Sequence, residues 1–170
     1  MRLLVEARPG AGKTTAAIRL AERLRAAGLP VAGFFTEEMR ERRVRVGFRI
    51  ETFEGERGVL AHVDLPGPPR VGKYGVDLEA FERVALAALE PPAGGAMIID
   101  ELGKMELASG RFREAVAGLI EADVPLVATV HAFHHPFTDE LKGRPDVEVV
   151  QLSKANRYEL PDLLAARLVC

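Results

Sequence analysis

A glycine-rich turn near the N-terminus carries residue types that bind phosphate. Residues 7–14 read Ala-Arg-Pro-Gly-Ala-Gly-Lys-Thr, and the phosphate-loop pattern is Gly, four residues, then Gly-Lys-Ser/Thr. The chain matches this pattern at Gly12, Lys13 and Thr14, whereas Ala7 stands at the first glycine. Backbone N–H groups of such a loop surround a phosphate, assisted by the positive end of the following helix. The lysine reaches the outer phosphates and the threonine hydroxyl can ligate Mg²⁺.

Two carboxylates follow a short apolar run in the middle of the chain. Met97–Ile99 reads as a buried strand, and Asp100 and Glu101 come directly after it. We expect Asp100 to hold a metal, usually through water, and Glu101 to polarise a water that attacks phosphorus. The pair should approach the phosphate loop from the neighbouring strand. The alternative is an acidic start to a solvated loop, and Lys104 can equally contact phosphate or face solvent.

Two further groups of residues have both a chemical and a structural interpretation. Asn156 and Arg157 follow the last predicted strand, where Arg157 can stack on a base; they can also be a helix entry with a surface arginine. A zinc site at His131, His134 and His135 is disfavoured, because no cysteine is near to complete four ligands. His131 alone, at a strand end, can instead sense the terminal phosphate.

A basic segment interrupts the pattern between residues 40 and 50. Its arginines form a solvated strand face, or else a site for an acceptor phosphate or a nucleic-acid backbone. One of them, or Lys73, can also stabilise transition-state charge. The arginines are Arg40, Arg42, Arg43, Arg45 and Arg49.

The elements that must position these residues alternate between strand and helix. This alternation predicts an α/β fold with a mainly parallel central sheet, helices on both faces and a small antiparallel insertion at about 40–65. Asp77 and Ser109 are expected helix caps. The predicted strands are Met1–Glu6, Val31–Thr36, Ala96–Asp100, Val124–Val130 and Val147–Leu152. The predicted helices are Lys13–Ala27, 77–89, Phe112–Ala122, Phe137–Leu141 and a last one starting near Pro161.

Length and composition exclude several classes of protein. The 170 residues suit a single domain, 1–170. A net charge of −2 makes nucleic acid an unfavoured partner. No apolar run approaches the roughly 18–20 residues of a membrane helix, and the single cysteine, Cys170, excludes an internal disulfide. We expect a cytoplasmic monomer.

Several segments together resemble one family. In order they are the phosphate loop, Gly33–Glu38, Val46–Phe48, Val71–Val76, Asp100–Leu107 and Asn156-Arg157. They resemble the small nucleoside-triphosphatase family of thermophilic bacteria and archaea, which is related to the human cancer-related nucleoside triphosphatase. The resemblance implies a phosphate-loop NTPase fold and Mg²⁺-dependent hydrolysis of nucleoside triphosphates with little base selectivity. It also implies that Ala7–Thr14 and Met97–Lys104 contact nucleotide.

The resulting hypothesis is slow hydrolysis of ATP, GTP, CTP and UTP to the diphosphate and phosphate. Lys13 and Glu101 are the expected catalytic residues, and Thr14 and Asp100 the expected Mg²⁺ ligands. Two alternatives stay open, namely a kinase acting on a nucleotide or other small molecule, and a nucleotide-dependent switch that binds a protein or RNA. The expected nucleotide-binding residues are Ala7, Arg8, Pro9, Gly10, Ala11, Gly12, Lys13, Thr14, Thr15, Lys104, Asn156 and Arg157.

Overall fold

The computed structural model describes all 170 residues, and its nine strands form one sheet in the order β5-β6-β4-β3-β2-β7-β8-β1-β9. The strands are β1 Arg2–Ala7, β2 Val31–Glu41, β3 Val44–Thr52, β4 Arg57–His62, β5 Arg70–Val71, β6 Tyr74–Val76, β7 Ala96–Leu102, β8 Leu126–His131 and β9 Glu148–Gln151. The helices are α1 Lys13–Ala26, α2 Leu78–Ala88, α3 Gly110–Glu121, α4 Pro136–Lys142 and α5 Leu160–Val169, with a 3₁₀ turn at Glu106–Ala108.

The strands β2, β7, β8, β1 and β9 are parallel neighbours. Alternate residues of β1 pack on opposite faces: Leu4 joins a cluster that contains Phe81 of α2 and Phe112 of α3, while Leu3 and Val5 join a second cluster with α1 and α5. Both faces of this part are therefore covered by helices, as buried parallel sheets require. The predicted α/β fold, with a parallel sheet between helices, is confirmed.

The strand order corrects one expectation about the acidic pair. We expected Asp100 and Glu101 on the strand next to β1, but β8 lies between β1 and β7. Two parallel strands with a third strand between them lie about 9.6 Å apart, which is twice the usual spacing. The N-terminus of α1 and the side chain of Asp100 bridge this gap, because Thr14 Oγ1 donates to Asp100 Oδ2 at 2.6 Å.

The antiparallel part is larger than the predicted segment of about 40–65. It begins within β2, which pairs with β7 through Val31–Phe34 and then continues to Glu41 against β3. It ends at Val76, because β4 and β5 pair with β6. In the sequence, Val44, Val46, Phe48 and Ile50 alternate with arginines and a glycine, and this period of two predicts a strand. The alternation predicted β3 correctly but did not indicate that β2 changes partners along its length.

Local signals fix how the helices start and how β2 meets β7. Both predicted caps are confirmed, since Asp77 accepts from Ala80 N at 2.9 Å and Ser109 from Phe112 N at 3.1 Å. On β2, Gly33 has φ +113, and a Cβ there would lie 1.8 Å from Ile98 O. Only glycine allows the two backbones to approach this closely.

Candidate nucleotide-binding site

The phosphate loop connects β1 to α1 with two glycines in the left-handed region. Gly10 has φ +78 and Gly12, the N-cap of α1, has φ +101. Ala7 is the buried last residue of β1 and lacks a positive φ. Alanine is therefore tolerated where the pattern has glycine. Lys13 begins α1 and is only 9% exposed.

Asp100 is held between two hydroxyl groups at the end of β7. Thr14 Oγ1 donates to its Oδ2 and Thr129 Oγ1 to its Oδ1, each at 2.6 Å. No basic side chain pairs with this carboxyl, which is 1% exposed. Burial, followed by repulsion from Glu101, raises the pKa of Asp100 to about 6, although the two hydroxyls lower it. A buried carboxylate without a basic partner is a typical position for a divalent cation.

Glu101 lies between a cation and an imidazole. Its Oε2 is 3.8 Å from Lys13 Nζ, and its Oε1 is 2.8 Å from His131 Nε2. Oε2 is buried and has no hydrogen-bond partner. One oxygen of Glu101 is thus held, and the other faces the lysine of the phosphate loop with an unused acceptor.

A cavity of about 640 Å³ opens in front of these groups. Its lining includes the loop residues Pro9, Gly10, Gly12, Lys13, Thr14 and Thr15, together with Glu101 and Lys104. It continues past Glu101 to Arg45, Phe48, Leu60 and Val71 of the antiparallel part. The structure therefore brings the loop and Glu101 together around a space that can hold a phosphate chain.

Sequence comparisons decide which family this site belongs to. A family model described as NTPase matches residues 2–165. The chain belongs to this NTPase family. The nucleoside-triphosphatase THEP1 of Thermotoga sp. (strain RQ2) is 44% identical over 162 residues, which cover 94% of this chain and 91% of that relative. The cancer-related nucleoside-triphosphatase of Homo sapiens is 38% identical over 172 residues, which cover 92% and 90%.

Solved structures agree with this membership of the NTPase family. The crystal structure of THEP1 from Aquifex aeolicus has a TM-score of 0.89 at 33% identity and covers 99% of each chain. The solution structure of the human cancer-related nucleoside triphosphatase has a TM-score of 0.82 at 37% identity and covers 98% of this chain and 96% of that one. The resemblance, and the phosphate-loop NTPase fold that it implies, are confirmed. No helix of the NTPase is both long and apolar enough to cross a membrane.

The residues after β9 have different positions relative to the loop. Asn156 is occupied with its own turn: its Oδ1 accepts from Ser153 N at 2.8 Å and its Nδ2 donates to Gln151 O at 2.9 Å. Arg157 lies over the phosphate loop, with its Cδ 3.5 Å from where a Cβ on Gly12 would be. Its guanidinium also stands 4.9 Å from the centre of the Tyr158 ring. Asn156 thus shapes the turn that presents Arg157.

The three histidines of the NTPase have separate partners. His131 contacts Glu101, as described above. His134 has a 97% exposed side chain and lies near Asp139, while His135 Nδ1 accepts from Phe137 N at the start of α4. These different environments explain why proximity in the sequence does not bring them to one metal.

Most of the basic segment of the NTPase is paired with acids. Glu38 contacts both Arg40 and Arg45, and Arg49 lies 2.5 Å from Glu37. Arg42 and Arg43 form the exposed turn between β2 and β3 with φ +48 and +67. Arg45 also donates to Tyr74 at 2.9 Å and lines the far end of the cavity.

Three residues of the site lie outside the expected set, and two of them, Thr129 and Glu106, are buried. Thr129 is a polar residue inside the apolar run of β8, which is a signal that the sequence offered. His131 ends the same strand, and its sequence position indicates a phosphate sensor rather than a contact with Glu101. Glu106 lines the cavity and is 3% exposed; it belongs to the segment Asp100–Leu107 of the family resemblance, but its local pattern assigns it no role. Burial, followed by repulsion from Glu101, raises the pKa of Glu106 well above its usual value.

Proposed function

We propose that this NTPase hydrolyses nucleoside 5′-triphosphates to the diphosphate and phosphate, with Mg²⁺ as cofactor and little selectivity for the base. The observation that carries the proposal is the convergence of Lys13, Thr14 and Glu101 on one cavity, with Asp100 bonded to Thr14. Membership of the NTPase family and the names of the relatives support the same reaction.

The loop and Glu101 have distinct roles in the proposed reaction. Backbone N–H groups of residues 10–14 and the ammonium of Lys13 bind the β- and γ-phosphate oxygens, where charge builds as the bond to the γ-phosphorus breaks. Glu101 Oε2, which has no partner, accepts a proton from the water whose oxygen attacks that phosphorus. The diphosphate leaves with the bridging oxygen.

Thr14 and Asp100 fit a magnesium ion. A hydroxyl and a carboxylate are the hard oxygen ligands that Mg²⁺ prefers, and the buried Asp100 carboxyl has no basic partner. When bound, Mg²⁺ offsets negative charge on the β- and γ-phosphates. Thr129 keeps the Asp100 carboxyl in place from the opposite side.

Phosphate release from ATP, GTP, CTP and UTP, with and without Mg²⁺, tests the reaction. We expect release from all four, dependence on Mg²⁺, and loss of turnover in Lys13→Ala. Arg157, which offers a stacking surface that every base can use, is the reason to expect low selectivity. Release that is indifferent to Mg²⁺ and to Lys13→Ala would contradict the proposal.

Replacing Glu101 by Gln tests its role separately. The amide keeps the shape but removes the base, so kcat should fall by about 10²–10⁴-fold while nucleotide affinity is retained. Glu90→Gln is a matched control, because Glu90 is an exposed carboxylate that precedes β7 at the other end of that strand. Hydrolysis by Glu101→Gln at the wild-type rate would refute the assignment.

A phosphotransferase is the second candidate function, and the shape of the cavity favours it. The space beyond Glu101 is bounded by Arg45, Phe48 and Leu60, so it can admit a second small molecule. Product analysis after incubation with ATP and a nucleoside mono- or diphosphate distinguishes the two functions. A new phosphate ester that depends on the acceptor indicates a kinase, whereas inorganic phosphate alone indicates hydrolysis.

A cytoplasmic location and a monomeric state stay predictions. Size-exclusion chromatography with light scattering tests the second, with an expected mass near the 18.5 kDa of one chain.

A further inference from the structure

We propose that His131 is a positioning residue that holds the Glu101 carboxylate in the orientation needed to accept a proton from water. The inference rests on the proposed role of Glu101 and assigns no direct contact with nucleotide to His131. It concerns the three side chains of His131, Phe133 and Lys104, which we call the imidazole stack.

The Glu101 carboxylate needs such a partner because its other contact is loose. Lys13 Nζ lies 3.8 Å from Oε2, which exceeds hydrogen-bond distance. Oε1 has a close partner in His131 Nε2 at 2.8 Å. Fixing Oε1 also fixes the direction of Oε2, because the carboxylate is planar. The proton acceptor is thus oriented through the oxygen that does not react.

The imidazole has no other polar partner. Its Nδ1 is buried without a hydrogen-bond partner, so its one polar contact is with Glu101. A residue needed only for packing at this strand end would not require a ring nitrogen facing a carboxylate. The polar function of His131 therefore acts on Glu101.

The position of the ring is fixed from two sides. Its backbone lies beside Ala7 in the register of β1 and β8, and its carbonyl accepts from Lys142 Nζ at 2.9 Å. The ring stacks on Phe133 with centroids 4.4 Å apart and planes at 19°. Lys104 Nζ lies 4.7 Å from the centre of the Phe133 ring, and all three side chains line the cavity. The imidazole stack thus limits rotation of His131 about its side-chain bonds.

Substitutions of His131 test the inference, because Gln and Asn differ in how far the amide nitrogen extends from the backbone. His131→Leu should lower kcat for ATP about 10- to 100-fold, the usual effect of misplacing a reacting group, with little change in KM. His131→Gln should recover most of the loss, because its amide nitrogen reaches the position of Nε2. His131→Asn, one methylene shorter, should not. His134→Leu is the control, since that side chain is 97% exposed on the same segment.

A double-mutant cycle separates this inference from the proposed function. When Glu101 is already Gln, adding His131→Leu should change kcat by less than about twofold, because the second loss acts only through the first. Three results would overturn the positioning role. They are a double variant in which the two reductions of kcat multiply, an unchanged kcat in His131→Leu, and a KM that rises as kcat falls. A Glu101→Gln variant that is as fast as the wild type would instead overturn the proposed base. If His131→Leu fails to fold, the difference between the Gln and Asn variants decides alone: a clear recovery by Gln supports the inference, and equal rates refute it.

Discussion

Thr129→Val tests whether the hydroxyl on β8 stabilises the charged form of Asp100. Valine has nearly the shape of threonine, so the substitution removes a hydrogen bond of 2.6 Å without opening a cavity. Both groups are almost completely buried, with Thr129 2% and Asp100 1% exposed. Water cannot replace the lost donor, and the full effect should therefore appear in the free energy of unfolding.

The expected effect depends on pH because the pKa of Asp100 lies between the two pH values at which unfolding is measured. Its pKa in the folded state, about 6, lies above the ordinary 3.8. The carboxyl therefore favours folding below pH 3.8, and this contribution is lost as pH rises through 6. At pH 8 the lost bond is to a carboxylate and should cost about 1.5–3 kcal/mol, whereas at pH 5 it is to a mostly neutral acid and should cost about 0.5–1.5 kcal/mol. For a chain of this size, about 2 kcal/mol lowers Tm by roughly 4–8 °C.

Urea unfolding of the metal-free protein at pH 5 and pH 8, with EDTA present, measures both values. Thr52→Val is the matched control, because this buried threonine on β3 accepts from Glu56 N at 3.0 Å and has no carboxylate partner. Its effect should be the same at both pH values. Equal destabilisation by Thr129→Val at pH 5 and pH 8 would refute the reasoning about Asp100.

Two further substitutions probe burial and backbone approach. Glu106→Gln should raise the free energy of unfolding at pH 8 and change it little near pH 4, because the raised pKa of Glu106 means that its contribution to stability is lost at high pH. Urea titrations at both pH values check this, and a variant that is less stable than the wild type at pH 8 would contradict it. Gly33→Ala should prevent β2 from pairing with β7, since its Cβ would lie 1.8 Å from Ile98 O and the residue would have φ +113. Circular dichroism should show loss of the cooperative unfolding transition. A melting curve like that of the wild type would contradict this, because it would mean that the two strands move apart at little cost in free energy.

The sequence predicted the phosphate loop and the acidic pair because their chemistry is local. Gly12, Lys13 and Thr14 act through backbone turns and neighbouring atoms, so a short pattern describes them. The caps at Asp77 and Ser109 were predictable for the same reason, since each bonds to an amide three residues on. Period-two alternation likewise identified β3.

Contacts between distant segments were not predictable in this way. The insertion of β8 between β1 and β7 depends on strand order, which hydrophobic patterning does not encode. The bond from Thr129 to Asp100 and the contact of His131 with Glu101 both follow from that order. The long β2 was missed because its outer half has exposed, charged residues and is held by pairing with β3.

The central position of β8 makes assembly of the candidate site depend on the docking of this one strand. A slip of this six-residue strand by one residue would turn Thr129 and His131 to the opposite faces of the sheet together. A chain emerging from the ribosome contains the residues of the phosphate loop and of the acidic pair before those of β8. Because β1 pairs only with β8 and β9, the strand that carries the loop has no neighbour in the sheet until these later strands dock. The loop and the two β8 contacts of the acidic pair therefore depend on the same late step.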